Sequence, residues 1–553
     1  MSISSKLHHI RRLLVAALVL PLFGACSYIY DDGDDCDDMI TPQIATANHY
    51  INLKIVVSSG KENTTRADGE GENGATNTTT TTPAGGEDGD GRETGYKREN
   101  EVTGITLMLY KAESNASAES NVNIENNSTL AFVRYYPVKL VEPRKDGGQE
   151  IGDTEKKYEA VYTTGNQSLA DSELDLNAKY RAIVVANRNM EPAFEKDDDV
   201  KDVCDNLVSA IYTGTGLGVK AENFVMSSVK NNLIEFSAPK ETIVDGKTTQ
   251  VYSFDDIYIQ RLAARVDFWT NNATYNDAAE TDNTPGYEYS VVKNGGQPSS
   301  DKFVLTAVTP FNLYNGDEYL IKRFGDSNAT PANTIYFGKE PDNYKEQENY
   351  VLDPKTATDK TDAGVPSYMT YALDNIIYDP AANIQTMAME RFKEGDLTDA
   401  LCKTESTGEA DNFIVCYPKE NTLLEDSPLY YYATGLRIEG DYYEEGWEKW
   451  TATETEKENP YIQHLTYYGF LRHQGENSGK EAIYQIWSED ELKEKKEKGT
   501  LVTDLKSEFP MNFGVVRNNI YRISIDRITE KRDIQLRIVV KKWDTFTHDV
   551  IYM

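Results

Sequence analysis

The sequence is short of basic charge, of cysteine and histidine, and of recognisable catalytic motifs. Lysine and arginine total 57 against 91 aspartates and glutamates, a formal net charge of −34 over 553 residues. So acidic a chain repels phosphate backbones, which excludes nucleic-acid binding through a general basic surface. Five cysteines and six histidines are too few for a disulfide-dense miniprotein and leave little stock for a transition-metal centre. No His-Glu-x-x-His occurs, and His49, His464, His473 and His548 stand apart from any cysteine pair with zinc spacing. Gly246-Lys247-Thr248 has Glu241 where a phosphate loop needs its earlier glycine. Gly214, Gly216 and Gly218 make a turn and not a dinucleotide fingerprint. No Gly-x-Ser-x-Gly elbow is present. Nothing here predicts an enzyme, a metal or a cofactor.

What is abundant is tyrosine, at 36 residues. Tyrosine suits half-buried strands and wet surfaces, which points to β structure. The length, with 39% hydrophobic residues, is enough for two or three cores.

The N-terminus gives an address. Lys6, Arg11 and Arg12 precede an apolar run from Leu13 to Phe23, then Gly24-Ala25-Cys26. A basic region, a short apolar stretch and small residues form a secretion signal. The run would reach only about 16 Å as a helix, too little to span a bilayer. The small pair before Cys26 resembles a bacterial lipobox, so residues 1–25 are read as a lipoprotein signal peptide and Cys26 as the lipidated residue. Phe23 stands where such motifs usually carry leucine. Ser27 replaces the aspartate that marks inner-membrane retention in lipoproteins, which implies the outer membrane. Residues 26–47, with Asp31, Asp32, Asp34 and Asp35, read as an acidic tether.

Ordered structure begins at 48–58, where Ile51, Leu53, Ile55 and Val57 alternate with polar residues as on a half-buried strand. From Gly60 to Glu93 no large apolar or aromatic residue occurs, so a disordered loop is expected over 60–95. Period-two patterns return at Ile105–Leu109, Tyr180–Val185, Leu262–Phe268, Phe303–Val308, Tyr521–Ile525 and Ile534–Val540. Two helices are expected. One starts at Asp199 and carries Val200, Val203, Cys204, Leu207 and Ile211 on one face; the other is capped by Ser488 and Glu491. Many short strands with few helices predict an all-β protein of β-sandwiches, divided as 48–268 and 269–553.

Besides Cys26, four cysteines remain. Cys402 and Cys416 form the best disulfide pair, worth about 3 kcal/mol if closed. Cys204 and Cys416 suit buried free thiols equally well. Trp447 and Trp450, with Tyr442 and Tyr443, suit either sandwich-core packing or a glycan-binding platform.

Several segments resemble the fimbrillins, the type V pilin subunits of Gram-negative outer membranes. They are Thr65-Arg66-Ala67-Asp68-Gly69, Tyr180–Asn187 and Arg261–Val266 in the first half. In the second half they are Asn312–Asn315, Tyr350–Pro354, Glu420-Asn421-Thr422, Ala433-Thr434-Gly435 and Val516–Tyr521. Cys26–Asp32 with Cys36 is similar instead to the fimbrillin-associated anchor proteins. The resemblance implies two transthyretin-like, Greek-key β-sandwich domains with a few short helices and a life at the cell surface. It implies that a trypsin-like protease cuts after the first strand, with Arg66 the first choice and Arg92 and Arg98 next. The strand carrying Ile51, Leu53, Ile55 and Val57 would then be displaced and replaced by a donor strand. Ile534, Leu536, Ile538 and Val540, or the tail beyond Trp543, would supply the donor. Implied partners are other fimbrial subunits, the outer membrane through the lipid, the protease and a surface receptor. Alternatives are a membrane-retained anchor or tip subunit, or a surface glycan-binding lipoprotein.

Overall fold

Alternating aliphatic residues become strands wherever the sequence has them, and the chain is all-β with three short helices among the described residues. The computed structural model describes residues from His49 to Asp544, apart from internal segments of which 58–91, 142–160, 355–401, 445–461 and 499–513 are the longest. Gly104–Lys111 is a strand as expected, but it is buried on both faces and not on one. The reason is position: it lies inside a nine-stranded sheet, between Leu130–Pro137 and Lys179–Ala186.

The first half builds this sheet and a four-stranded one around a common core. Three chain segments run through both sheets. Residues 49–57 are the middle one, as strands His49–Asn52 and Lys54–Val57. Residues 161–169 flank them antiparallel and residues 250–259 flank them parallel. The second half forms a twelve-stranded sheet that closes on itself. Closure comes from Asn519–Thr529, which pairs with Asp533–Asp544 on one side. On its other side it pairs with Arg265–Trp269 near its start and with Gly286–Val292 near its end. The chain leaves the first sheet system at Arg261 and enters the second at Arg265. The passage therefore lies ahead of the boundary expected at 268/269, because Arg265–Trp269 pairs with Asn519–Thr529.

Three other expectations change. The helix begun by Asp199 ends at Cys204, and Leu207 is exposed. Leu207–Val208 pairs instead with Glu318–Tyr319, which takes the backbone groups that a longer helix would need. The loop expected to be disordered through residue 95 is ordered from Arg92, since Arg92–Thr94 lies parallel to Lys542–Asp544. No bridge joins Cys402 to Cys416. The register sets Cys402 opposite Ile414, and Cys416 is a buried free thiol, as is Cys204. Diagonal neighbours across strands lie about 7 Å apart, beyond the reach of a disulfide. The second helix does form, with the Glu491 amide donating to Ser488 Oγ and the Ser488 amide to Glu491 Oε2.

On the second sheet His464 faces Asp441 across a strand pair, with Nδ1 2.9 Å from the carboxylate, and Glu439 lies near Nε2. The hydrogen bond to Asp441, with the Glu439 carboxylate nearby, pushes the imidazole up to about 9 from an ordinary 6.5. A raised folded value means that its stabilising effect is complete below about pH 6.5 and fades as pH rises through about 9. An NMR titration of the His464 ring should show it still charged at pH 7. A midpoint at or below 6.5 would contradict the arrangement.

Candidate strand-exchange groove and sandwich junction

The first strand is held as an inner strand along its whole length. Ile51, Leu53, Ile55 and Val57 are each no more than 1% exposed. At Leu53, where the segment passes between sheets, its amide donates to Thr164 Oγ1 at 3.0 Å, and its carbonyl accepts from the Thr164 amide at 3.2 Å. The outward residues are also fixed. Asn52 Oδ1 accepts from Thr163 Oγ1 at 2.8 Å, and Lys54 Nζ sits 3.0 Å from Asp256. Removing residues 49–57 would leave a slot walled by 161–169 and 250–259, lined by the apolar pockets of four aliphatic side chains.

The proposed donor residues Ile534, Leu536, Ile538 and Val540 are equally buried. They lie in Asp533–Asp544, an inner strand of its own sheet, bonded to Ile483–Ser488 and to Asn519–Thr529. As a donor this strand would first have to leave a filled position. The tail beyond Asp544 lies outside the described residues, as do Cys26, Arg66 and the acidic tether.

Arg92 and Arg98 lie in a different setting. The helix Lys97–Asn100 follows Arg92–Thr94 and inserts into the junction between the two sheet systems. Arg98 is half-buried and donates to Tyr417 Oη at 3.4 Å. Glu99 and Asn100 are fully buried. Arg265 makes a two-pronged contact with Asp267, at 2.9 and 2.8 Å, and reaches Glu99 at 3.2 Å. Tyr417 Oη also donates to Glu99, and Asn412 Nδ2 donates to Asp267 at 2.9 Å. Arg261 donates to the Glu99 carbonyl at 2.9 Å, to Asn518 Oδ1 at 3.0 Å and to Asn100 Oδ1. Its guanidinium lies 4.2 Å over the Trp543 ring, which stacks on Tyr417. Trp543 is fully buried and packs with the core of the first half, so the last strand is pinned to both halves.

Beside this lies a second ionic group, all of it fully buried. Arg517 bridges Glu318 at 2.9 Å and Glu420 at 3.0 Å. Burial pushes the Glu318 carboxyl well above the usual range and Glu420 adds to the shift, while Arg517 opposes it. The segments quoted for the fimbrillin resemblance converge here. The Thr422 amide donates to Asp353 at 2.7 Å, and Asn421 Nδ2 donates to Thr434 Oγ1 at 2.9 Å. Asn312 Nδ2 donates to the Ala433 carbonyl at 3.1 Å. Asn187, Asn312 and Asn518 all have φ between 52° and 59°, a region asparagine tolerates better than most residues. Gly435 is required by contact: a Cβ there would fall 2.3 Å from the Phe311 ring and 2.5 Å from the Gly469 carbonyl.

Sequence reasoning missed the buried arginines at 261, 265 and 517, because a charged side chain reads as surface. The available signal was that each stands in a segment resembling a known family. Of the aromatic platform, Tyr442 and Tyr443 are buried, and Tyr442 Oη donates to Asp301 at 2.6 Å, which is core packing. Trp447 and Trp450 lie outside the described residues. Among the described residues no group of three metal-binding side chains occurs, and no helix is long and apolar enough to cross a membrane.

No family model matches the sequence, and no curated protein is similar to it. Solved structures are. A fimbrilin, FimA, from Porphyromonas gingivalis W83 is 14% identical with a TM-score of 0.34, over 91% of this chain and 99% of that one. The C-terminally truncated tip fimbrial protein Mfa3 of Porphyromonas gingivalis is 9% identical with a TM-score of 0.31, over 89% of this chain and 100% of its own. A fimbrial assembly protein from Parabacteroides distasonis is 9% identical with a TM-score of 0.24, over 70% and 94%. The likeness is to fimbrial proteins.

Proposed function

We propose that this chain is a structural subunit of a cell-surface fimbria, supporting adhesion. In this reading it is exported as a lipoprotein through Cys26, reaches the outer membrane and joins other subunits by strand exchange after a trypsin-like cut. One observation carries the reading. The first strand is fully integrated in the fold, yet it is joined to everything that follows it in the chain only through residues 58–91, within which 60–91 hold no large apolar residue. A cut anywhere in that connection turns a structural strand into a separate, noncovalently held piece. Its departure opens an apolar slot that another strand fills by adding to the sheet. The donor is Ile534–Val540 or the tail after Trp543.

Arg66 is the favoured cut. Arg98 lies in a helix within the junction, and the backbone of Arg92 pairs with Lys542, so neither offers the free extended backbone that a protease grips. Mass spectrometry of protein taken from its native cell surface should find a mature N-terminus at Ala67. A start after Arg92 or Arg98 would move the site. An acylated Cys26 still continuous with Ile51–Val57 in all material would replace the polymerising subunit by a membrane-retained anchor.

A further inference from the structure

The position of the first strand is bent at one level by both of its walls. On the antiparallel wall Ile51 stands opposite Gln167 and Lys54 opposite Thr163. Two residues of the strand, 52 and 53, therefore face three of the wall, Thr164, Gly165 and Asn166. On the parallel wall Asn52 is level with Ser253 and Ile55 with Ile257, so residues 53 and 54 again face three, 254–256. Each wall carries one extra residue beside Leu53, the arrangement of a β-bulge. The antiparallel bulge is held by bonds of its own. Gly165 has φ 63°, which glycine adopts without strain, and its amide donates to Thr163 Oγ1 at 3.1 Å. Thr164 Oγ1 donates to the Gly165 carbonyl at 3.0 Å, and Gln167 Nε2 donates to the Thr164 carbonyl at 2.6 Å. None of these three bonds involves the first strand. With its proton committed to Gly165, the Thr164 hydroxyl presents a lone pair to the slot, and the Leu53 amide donates to it at 3.0 Å.

Resting on the strand-exchange reading, we infer that Thr164 and the paired bulges fix the register of whichever strand fills the slot. Aliphatic alternation cannot do so alone. A slip of one residue turns the apolar face to solvent, but a slip of two returns it to the core. Straight walls would leave such even slips nearly equivalent. Here only one residue of the occupant meets a hydroxyl oxygen in place of a ladder carbonyl, and at that level the strand passes from one sheet to the other. A strand slipped by two meets a wall whose carbonyls are offset by the extra residue, which leaves buried amides without acceptors. The site therefore accepts an extended segment with aliphatic side chains on both sides of the bend and a backbone N–H at the level of Leu53, which excludes proline there. Thr164 is a positioning residue: it acts on the backbone of the occupant, whichever chain supplies it.

The test uses the full chain with a specific protease site placed within residues 58–91. It is cut, unfolded, freed of its N-terminal piece and refolded with labelled peptides spanning 47–58, and uptake is read by gel filtration. The unmodified peptide should be taken up. One with an ester in place of the Leu53 amide should bind about fivefold more weakly, the usual worth of a single hydrogen bond. Thr164→Val should weaken the unmodified peptide by a similar factor and then make the ester at Leu53 nearly harmless, since both changes remove one bond. Esters at Ile51 or Ile55 should cost the same with either protein, and Thr164→Ser should behave as the unaltered chain. Register is read separately by disulfide trapping, which does not depend on the valine variant folding. Asn52 Nδ2 lies 3.4 Å from Asn166 Oδ1. Asn166→Cys protein should therefore trap a peptide with Asn52→Cys, and not one with Tyr50→Cys or Lys54→Cys. Additive losses for ester and valine overturn the role of Thr164, and trapping from 50 or 54 overturns the register; either result leaves strand exchange standing. Failure of the unaltered chain to take up the unmodified peptide overturns the inference and the strand-exchange reading together.

Discussion

Replacing Arg265 by alanine should destabilise the chain by about 3–5 kcal/mol, the usual consequence of stripping one partner from a buried ionic group. Arg265 is fully buried, and it is the cation that Asp267 grips with both oxygens and that Glu99 reaches from the junction helix. Without it Glu99 keeps only the Tyr417 hydroxyl and the Tyr96 amide as donors, and Asp267 keeps Asn412 and, at 3.5 Å, Arg522, in a water-poor junction. Lysine at 265 should recover only part of the loss, because it restores the charge but not the planar fork that Asp267 uses. Urea unfolding of the purified chain measures both. A cost under about 1 kcal/mol for the alanine variant would mean that water enters the junction and that the group adds little to it.

How legible this was depends on the kind of residue. Aliphatic alternation located the strands at 104–111, 179–186, 519–529 and 533–544 because burial on a pleated sheet imposes a period of two. It could not show that 49–57 serves two sheets, since both require the same alternation; only pairing with both halves of 161–169 reveals it. Closure of the second sheet is likewise a matter of one long strand changing partner, and Asn519–Thr529 has no residue that announces it. Leu207 fits the helical face that starts at Asp199, so the pattern predicts a longer helix than the one that forms, and a two-residue strand pairing takes Leu207 instead. The junction was hidden for a different reason. Arg261, Glu99 and Arg517 are counted in a sequence as solvated charges, and their burial follows from partners 161 to 318 residues away or, for Arg517, 97 and 199. Pattern reading has no access to contacts at such separations, whereas the family resemblance marked several of the same residues without saying what they do.

The other large effect concerns the first strand. A chain cut between Val57 and Arg92 but not otherwise treated should keep its fold, because the strand remains hydrogen-bonded on both sides. Stripping the cut piece with denaturant and returning the remainder to buffer should give a different protein. Four aliphatic side chains that were at most 1% exposed are then missing from the core. Each contributes about 1.5–3 kcal/mol when buried, an upper range for a chain whose unfolded state already hides some surface. Their sum, about 6–12 kcal/mol, rivals the whole stability of an ordinary domain. Two strand edges are left open as well, at 161–169 and 250–259, and open apolar edges recruit other chains. The stripped chain should therefore unfold at markedly lower urea and self-associate in light scattering, while the cut but unstripped chain should do neither. The comparison separates loss of the covalent link from loss of the strand. If stripping leaves the urea midpoint unchanged, the first strand is not integral to the core and a cut after Arg66 would gain no assembly energy from it. If it lowers the midpoint and a synthetic peptide spanning residues 47–58, annealed with the stripped chain, restores it, the slot persists in refoldable form, which is the physical condition for one subunit to complete another.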